Sequence, residues 1–494
     1  LSSSSAELRE ILLTFISGAS QPALLDPGEE PLRLIPEHWE ISEWNGRISF
    51  QVWDDRRNLV CRIAGVKEQR RGRLALFTER FPKTQGEIQI ADLAGPQGLE
   101  IEKRATRTAF RERFRFMLAR EFPEWKIDDL SSETDLEHSL SPAYIRAMVR
   151  RGATGVAALA VPPGAAEPAG VVAFALIWLD HLRRRERGLT IQRLMIFCPA
   201  ESAREIAPRV AQLNPARVDR GVVAFDERDR VGTVDLSDAG NLESSLPPSR
   251  RPVSPNAEAP ALPEMSEVDR VEQSDGTIAF RVRGLEFARW RPAGRGGRLT
   301  CGVGRRRACG VGTLMAMGRE IARVRSADAE DRQHPLYTQC PEGWLESAVR
   351  TKPSALDASL LDAPIYGQVP IFAGCDHGIV DLLGIDHTGR LVVIEVKASM
   401  DLQLPFQAID YWLRVRKHLA AGDFHRLGYF PGATVRMDAP RILLVAPALE
   451  FHSTSETLLS YLRPEIEITR VGLSAEWRSE LKVMFRLSSA ERPD

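Results

Sequence analysis

Between residues 38 and 92 apolar and polar positions alternate in short runs: Ile48-Ser-Phe-Gln-Val52, Leu59-Val-Cys-Arg-Ile63 and Leu74-Ala-Leu-Phe77. Polar, glycine-containing turns separate them, and a period of two punctuated in this way predicts strands joined by turns. From about Thr106 to Phe122 the period lengthens to that of a helix, and Arg107, Arg111, Arg113, Arg115 and Arg120 make one side of it basic. An α/β series is expected next: helix 142–151, strand 155–161, helix 170–185, strand 191–198, helix 202–213 and strand 218–225. Leu246-Pro-Pro-Ser-Arg-Arg-Pro-Val-Ser-Pro255, continuing to Pro263, carries neither period and reads as a Pro-rich linker with nothing to build a core.

After the linker the order recurs. Gly276-Thr-Ile-Ala-Phe-Arg-Val282 echoes Gly46-Arg-Ile-Ser-Phe-Gln-Val52, and Arg441-Ile-Leu-Leu-Val-Ala-Pro447 echoes Arg193-Leu-Met-Ile-Phe-Cys-Pro199. Between these anchors, Trp178-Leu179 matches Trp412-Leu413. The chain therefore reads as a duplicated β plus α/β unit. Its parts are a β-rich N-terminal domain (1–105), an α/β domain (106–245), the linker (246–265), a second β-rich segment (266–333) and a further α/β domain (334–494). The fold class is α/β.

Composition narrows the function little. Net charge is −1 with 27% charged residues, so nucleic-acid binding would have to come from local segregation of charge. Only eight lysines stand among the 66 basic residues, which makes the position of each informative. The six cysteines are scattered without a CxxC pair, excluding zinc-ribbon and thioredoxin motifs and suggesting lone, reduced thiols. The opening Leu-Ser-Ser-Ser-Ser lacks a basic n-region and does not read as a signal peptide; the missing initiator Met suggests a fragment, a processed end or an unusual start. The most apolar stretch, Thr154 to Leu179, is broken by Pro162, Pro163, Glu167 and Pro168, so no membrane span is expected and a cytoplasmic location is.

The chemistry is concentrated in Gly378-Ile-Val-Asp381-Leu-Leu-Gly-Ile-Asp-His-Thr-Gly-Arg-Leu-Val-Val-Ile-Glu395-Val-Lys397. The apolar runs 379–385 and 391–396 read as buried strands. His387-Thr388-Gly389 reads as a three-residue hairpin loop, with Gly389 at its left-handed position. Folding about Thr388 sets Asp381 opposite Glu395, give or take a bulge, where cross-strand Cβ atoms lie ~4.5–5.5 Å apart. Alternation puts Glu395 and Lys397 on one face. Two carboxylates so placed in an apolar sheet repel unless a cation lies between them, and hard oxygen ligands suit Mg²⁺. Glu124-Trp-Lys126 and Glu480-Leu-Lys482 share the acid-x-Lys spacing, but only Lys397 follows an apolar strand paired to a second buried acid. Upstream, Pro341 to Arg350 forms an amphipathic helix whose Glu346 can point back at the sheet; downstream, Gln407 and Tyr411 share a helix face.

Glu346, Asp381, Glu395-Val-Lys397 and Gln407-x-x-x-Tyr411, spanning roughly Pro341 to Leu449, resemble the PD-(D/E)XK nuclease superfamily, closest to its RecB-like and NucS-like branches. The resemblance implies a restriction-endonuclease-like mixed sheet flanked by helices, and Mg²⁺- or Mn²⁺-dependent phosphodiester hydrolysis. It makes Asp381 and Glu395 metal ligands, Lys397 the catalytic lysine, Glu346 a supporting acid, and Gln407 and Tyr411 substrate contacts or braces. The expected function is a DNA endonuclease of repair or defence. The alternatives are an RNase of the same fold or a catalytically silent nucleic-acid-binding or scaffold protein. The expected partner is nucleic acid, DNA ahead of RNA, with room for a homo-oligomer or a helicase-type partner, since no P-loop is present.

The first half departs from this pattern. Sliding the copies on Trp178 and Trp412 sets Ala160-Val161-Pro162 against Glu395-Val396-Lys397, and Ala173 and Ile177 against Gln407 and Tyr411. Glu137 resembles Glu346, but too few residues follow it for a strand carrying an acid. A duplicated first copy would thus be degenerate. Arg70, Arg71 and Arg73, and Arg305 to Arg307, are candidate phosphate contacts or solvated turns; His377 and His387 read as polar loop residues. Limited proteolysis should cut first within 246–264 and leave two fragments of similar size. Early cuts elsewhere, with this segment protected, would show that it packs against a domain.

Overall fold

The structure is a computed structural model describing residues 4–44, 46–55, 57–80, 84–238, 244–249, 265–272, 276–293, 296–370 and 379–489. It is mixed α/β and divides into two units, Leu1–Ala203 with Gly221–Val234, and Arg204–Arg220 with Asp235–Asp494.

The first unit opens with helix α1 (Ser5–Gly18), started by a reciprocal cap: Ser4 Oγ accepts from Glu7 N–H (3.3 Å) and Glu7 Oε2 from Ser4 N–H (2.9 Å). Leu8, Leu12 and Ile16 recur on one face of α1 and bury against an antiparallel sheet. That sheet contains β1 (Pro22–Leu25), β2 (Leu32–Arg33), β3 (Trp39–Trp44), β4 (Arg47–Trp53), β5 (Asn58–Arg70), β6 (Arg73–Arg80) and β7 (Thr84–Asp92), in the order β2-β1-β7-β6-β5-β4-β3. Helix α2 (Gly95–Glu121) leads to a second sheet of β8 (Lys126–Ser131), β9 (Ile145–Arg151), β10 (Thr154–Ala160), β11 (Thr190–Pro199), β12 (Asp219–Phe225) and β13 (Val231–Thr233), ordered β13-β12-β11-β10-β9-β8. Helix α3 (Val171–Arg185) joins β10 to β11, and α4 (Ala203–Ala211) joins β11 to β12.

Three expectations change here. The helix expected over 142–151 is strand β9. Ile145, Ala147 and Val149 pack into the core on one face, while Arg146 and Met148 are buried on the other, so the segment shows no clean inside-outside alternation to separate strand from helix. The β-rich 1–105 stretch also contains α1 and the start of α2, whose polar first turns carry no apolar period. Glu137 lies in a turn closed by the Asp135–Leu140 bridge, not on a helix like Glu346.

In the second unit β14 (Asp269–Glu272), β15 (Ile278–Val282), β16 (Leu285–Ala293), β17 (Gly296–Cys301) and β18 (Arg307–Ala308) form a sheet in sequential order, followed by α5 (Val311–Val324), α6 (Pro335–Thr338) and α7 (Pro341–Thr351). Cys301 and Cys309 are joined in a disulfide, correcting the expectation of lone thiols at these two positions. The last sheet runs β19-β20-β21-β22-β23-β24 through β19 (Tyr366–Pro370), β20 (Ile379–Ile385), β21 (Leu391–Val396), β22 (Arg441–Pro447), β23 (Ile468–Leu473) and β24 (Val483–Ser488). Helices α8 (Leu404–Ala420) and α9 (Asp423–Arg426) connect β21 to β22, and α10 (Ser455–Ser460) connects β22 to β23. Among the described residues no helix is long and apolar enough to cross a membrane.

The two six-stranded sheets share one topology. β8·β9 and β19·β20 are antiparallel, as are β9·β10 and β20·β21; β10·β11 and β21·β22 are parallel; β12·β13 and β23·β24 are antiparallel. The echoed Gly-x-Ile-x-Phe-x-Val segments lie on β4 and β15, each led by a glycine at positive φ (Gly46 +67°, Gly276 +81°). Trp178 and Trp412 lie on corresponding helices, yet their indoles bond differently, to Ala147 O on β9 and to Pro440 O before β22.

Residues at the start of the expected linker are seated in the second unit. Leu246 is buried with Phe424, Tyr429 and Phe430, and Ser249 N–H and Oγ donate to Leu427 O and Gly428 O. The linker reading is therefore corrected for 246–249; residues 250–264 lie outside the described residues.

Two contacts fix α7. The guanidinium of Arg325 is fully buried, donates from Nη1 to Leu336 O (2.7 Å) and Gln339 O (2.5 Å) and from Nη2 to Arg283 O (2.9 Å), and lies 4.7 Å from the Trp344 ring centroid. Beside it the β15–β16 turn meets the first turn of α7 so closely that a Cβ on Gly284 would stand 1.8 Å from Gly343 O. Gly284→Ala should destabilise the protein by ~3 kcal/mol or more, adding a backbone clash to positive-φ strain. Gly276→Ala, where the nearest atom is 3.6 Å away, carries the strain alone and should cost about 1 kcal/mol. Denaturant midpoints of the two variants test the difference; equal losses would remove the clash from the account.

Candidate active site

The β20–β21 hairpin is closed by a turn read from its sequence. Asp386 Oδ1 accepts from Thr388 N–H (2.9 Å), Thr388 Oγ1 (2.6 Å) and Arg390 N–H (3.0 Å). Gly389 takes φ +88°, where a Cβ would stand 2.1 Å from Thr434 O. The strands pair as Leu382↔Ile394, Leu383↔Val393, Gly384↔Val392 and Ile385↔Leu391, and Asp381 and Glu395 are the next residues beyond the Leu382↔Ile394 pair. Asp381 Oδ2 accepts from Val396 N–H at 2.9 Å, bridging the two strands at that level. Every residue of β21 is buried.

Glu395 is only 2% exposed, and its Oε2 finds no hydrogen-bond partner. Burial pushes Asp381 up to about 7 against the pull of Val396 N–H, and Glu346 adds to the rise. Burial also raises Glu395 well above the carboxylate range, with Asp381 the next cause. Lys397 Nζ lies 3.9 Å from Glu395 Oε1, 3.8 Å from Glu342 Oε2 and 3.8 Å from Asp401 Oδ2. Burial works against its charge, but Glu395, Glu342, Asp381 and Asp401 together hold it above the ordinary lysine value.

The flanking helices bring the remaining sequence candidates to the same place. Glu346 is buried on α7, and a Cβ on Gly367 of β19 would stand 3.0 Å from its Oε1. Gln407 and Tyr411 share a face of α8; Gln407 Oε1 is buried without a donor, and burial, then Glu395 and Asp381, push the Tyr411 phenol upward. Glu342 and Asp401, the other carboxylates facing Lys397, were not among the sequence candidates, since half-buried acids on a helix start and in a loop carry no pattern. Among the described residues no group of three or more His, Cys, Asp or Glu is placed to hold a metal ion. Scans against family models, curated proteins and solved structures return no match to this chain.

A second feature escaped the sequence reading. Arg209 on α4, within the second unit, makes a bidentate ion pair with Asp410 of α8 (3.1 and 2.7 Å), one residue from Tyr411. Its partner lies some two hundred residues away, and arginine on a short amphipathic helix gave no local signal. Two of the weaker candidates are neutralised locally, Arg70 by Glu68 (2.6 Å) and Arg306 by Glu286 (2.8 Å), and on α2 Arg113 pairs with Asp229 (2.8 Å) and Arg115 with Glu112 (2.9 Å). His387 lies in the hairpin loop; His377 lies outside the described residues.

The raised carboxyls give a pH signature. Unfolded carboxylates titrate near ~4. From there up to about 7 for Asp381, and through the raised range of Glu395, the folded chain binds more protons than the unfolded one, so stability falls as pH rises. Without metal, the second unit's transition should drop by roughly 3–6 °C between about pH 5 and about pH 8. Asp381→Asn with Glu395→Gln should flatten the drop, and Mg²⁺ should reduce it in the unsubstituted chain. Scanning calorimetry checks this; an identical drop in the double variant would place its origin elsewhere.

Proposed function

We propose that the chain is a metal-dependent nuclease of PD-(D/E)XK type, hydrolysing phosphodiester bonds in DNA, with a restriction-endonuclease-like domain at 334–494 and a degenerate copy before it. The observation that carries this reading is buried Glu395, with its unpartnered oxygen Oε2, beside half-buried Asp381 and Lys397. Two like charges in an apolar sheet are costly unless protonated or bridged by a cation. Two carboxylates joined by waters and a substrate phosphate form a donor set that Mg²⁺ accepts, so Asp381 and Glu395 fit the ion even though the described residues hold no larger cluster.

When bound, Mg²⁺ or Mn²⁺ supplies Lewis acidity toward a phosphoryl oxygen and activation of water. The remaining work falls to the chain's own groups. Lys397, held charged by the surrounding acids, donates toward the attacking water or the phosphoryl oxygen and offsets growing negative charge. Glu346 supports the site from α7, and Gln407 and Tyr411 present amide and phenol groups to substrate from α8. Arg414, Arg416 and Lys417, further along α8, add positive charge for a phosphate backbone.

Asp381→Asn, Glu395→Gln and Lys397→Ala should each lower the cleavage rate by ~10²-fold or more while leaving the fold intact. Metal-free DNA binding by the two acid variants should be unchanged or tighter, because phosphates meet fewer carboxylates. Lys397→Ala should keep the metal dependence, since the lysine is not a ligand, and Glu137→Gln should keep full activity. Rates against Mg²⁺ concentration on labelled single- and double-stranded DNA and RNA test the set. Full activity in either acid variant would overturn the site; binding without cleavage by the unsubstituted chain would leave a silent nucleic-acid-binding protein, and RNA-only cleavage an RNase.

A further inference from the structure

Resting on the nuclease reading, we infer that one chain makes one cut, so that duplex DNA is nicked and not severed. Strand register shows why. Lys397 N–H donates to Val445 O on β22 (2.9 Å), and at the same place in the first sheet Val161 N–H donates to Phe197 O on β11 (2.9 Å). The pairings Val396↔Val445 and Ala160↔Phe197 agree. Val161 thus stands where Lys397 stands, and Leu159 where Glu395 stands, one position earlier than the tryptophan match had set them. Arg146 pairs with Leu159 across β9 and β10, and so occupies the place of Asp381.

Arg146 is buried, 7% exposed, and fixed: its Nη1 donates to Glu133 O (2.7 Å) and its guanidinium lies 5.7 Å from the Trp178 ring centroid. A guanidinium in place of a carboxylate repels a divalent cation, and leucine and valine provide neither ligand nor proton donor. The first sheet keeps the topology and has lost the chemistry. One site cuts one strand per engagement, because the two strands run antiparallel; severing both takes a second site or a second engagement of the same one.

A second chain could supply the missing site, but one pairing element is already used within the second unit. Leu213-Asn-Pro215 after α4 and Leu462-Arg-Pro464 after α10 occupy corresponding positions in the two repeats. They meet each other about the Leu213–Leu462 bridge: Asn214 N–H donates to Tyr461 O (2.8 Å) and Arg463 N–H to Gln212 O (2.9 Å). This reciprocal exchange is what two identical partners make about a two-fold axis. Here it is satisfied within one chain. In each encounter water adds to one phosphorus, the bond to one sugar oxygen breaks, and that oxygen takes a proton, leaving one phosphomonoester end and one hydroxyl end.

The test is a time course on supercoiled plasmid with the full chain and Mg²⁺ or Mn²⁺, with EDTA as control. Open circle should accumulate in large excess before linear DNA appears, at a rate proportional to protein concentration. With DNA saturating, an excess of the Lys397→Ala variant should leave the rate per unsubstituted chain unchanged. Linear product from the earliest times, a rate rising with the square of concentration, or poisoning by the variant would each overturn the single cut. Cleavage of single strands with the plasmid intact would overturn the nick and spare the nuclease reading. No metal-dependent cleavage of any substrate would remove both.

Discussion

Two carboxylates that repel each other in a sheet nearly closed to water are the constraint around which the second unit is arranged. Asp381 keeps one oxygen on Val396 N–H, Glu395 keeps one oxygen without a partner, and Lys397 stands within 4 Å of three acids. No single neighbour cancels the pair. The arrangement is stable as part of a larger set of charges, and it leaves lone pairs aimed at a place where a cation or a proton would lower the energy. The Tyr411 phenol faces the same field and is held firmly in its neutral, hydrogen-donating form.

Such a site needs rigid supports, and the supports are chemically unlike one another. α7 is held by a buried guanidinium that saturates main-chain carbonyls around Trp344 and by the glycine-on-glycine approach at Gly284 and Gly343. α8 is held by burial of Phe406, Ile409, Trp412 and Val415 and by the Arg209–Asp410 pair. Packing sets the depth of each helix, and the directional contacts set its rotation, which decides whether Glu346 and Tyr411 face the sheet.

The β20–β21 hairpin was legible in the sequence because several local signals agreed: two apolar runs of strand length, an Asp-x-Thr-Gly turn, and acids placed where a symmetric fold would make them neighbours. Residues 142–151 read differently in sequence and structure, since a strand buried on both faces, with Met148 and even Arg146 inside, has no clean apolar-polar period of two. Leaning on the tryptophans misplaced the comparison of the two copies by one residue. The helices can shift relative to the strands they follow, and Trp178 and Trp412 bond to carbonyls at unlike positions, one on β9 and one before β22; the hydrogen-bond ladder cannot shift without turning every side chain over. Arg209, Leu246 and the Cys301–Cys309 pair were invisible for a common reason. Each depends on a partner brought close by tertiary structure, and neither spacing nor composition encodes that.

Arg146 makes the first sheet resistant to gaining an acid at that position. Its guanidinium is tied into the fold by a carbonyl and an indole, so placing an acid there would remove those contacts and strand a carboxylate in an apolar layer. A glutamate at Leu159 or a lysine at Val161, introduced alone, would meet the same penalty with no cation to offset it. All three changes would have to arrive together, and every partial state is worse folded than the present one. On the nuclease reading proposed above, such a position behaves as a ratchet: with a structural arginine settled where the second unit carries Asp381, selection can refine the scaffold but has no gradual path to a second centre of the same kind.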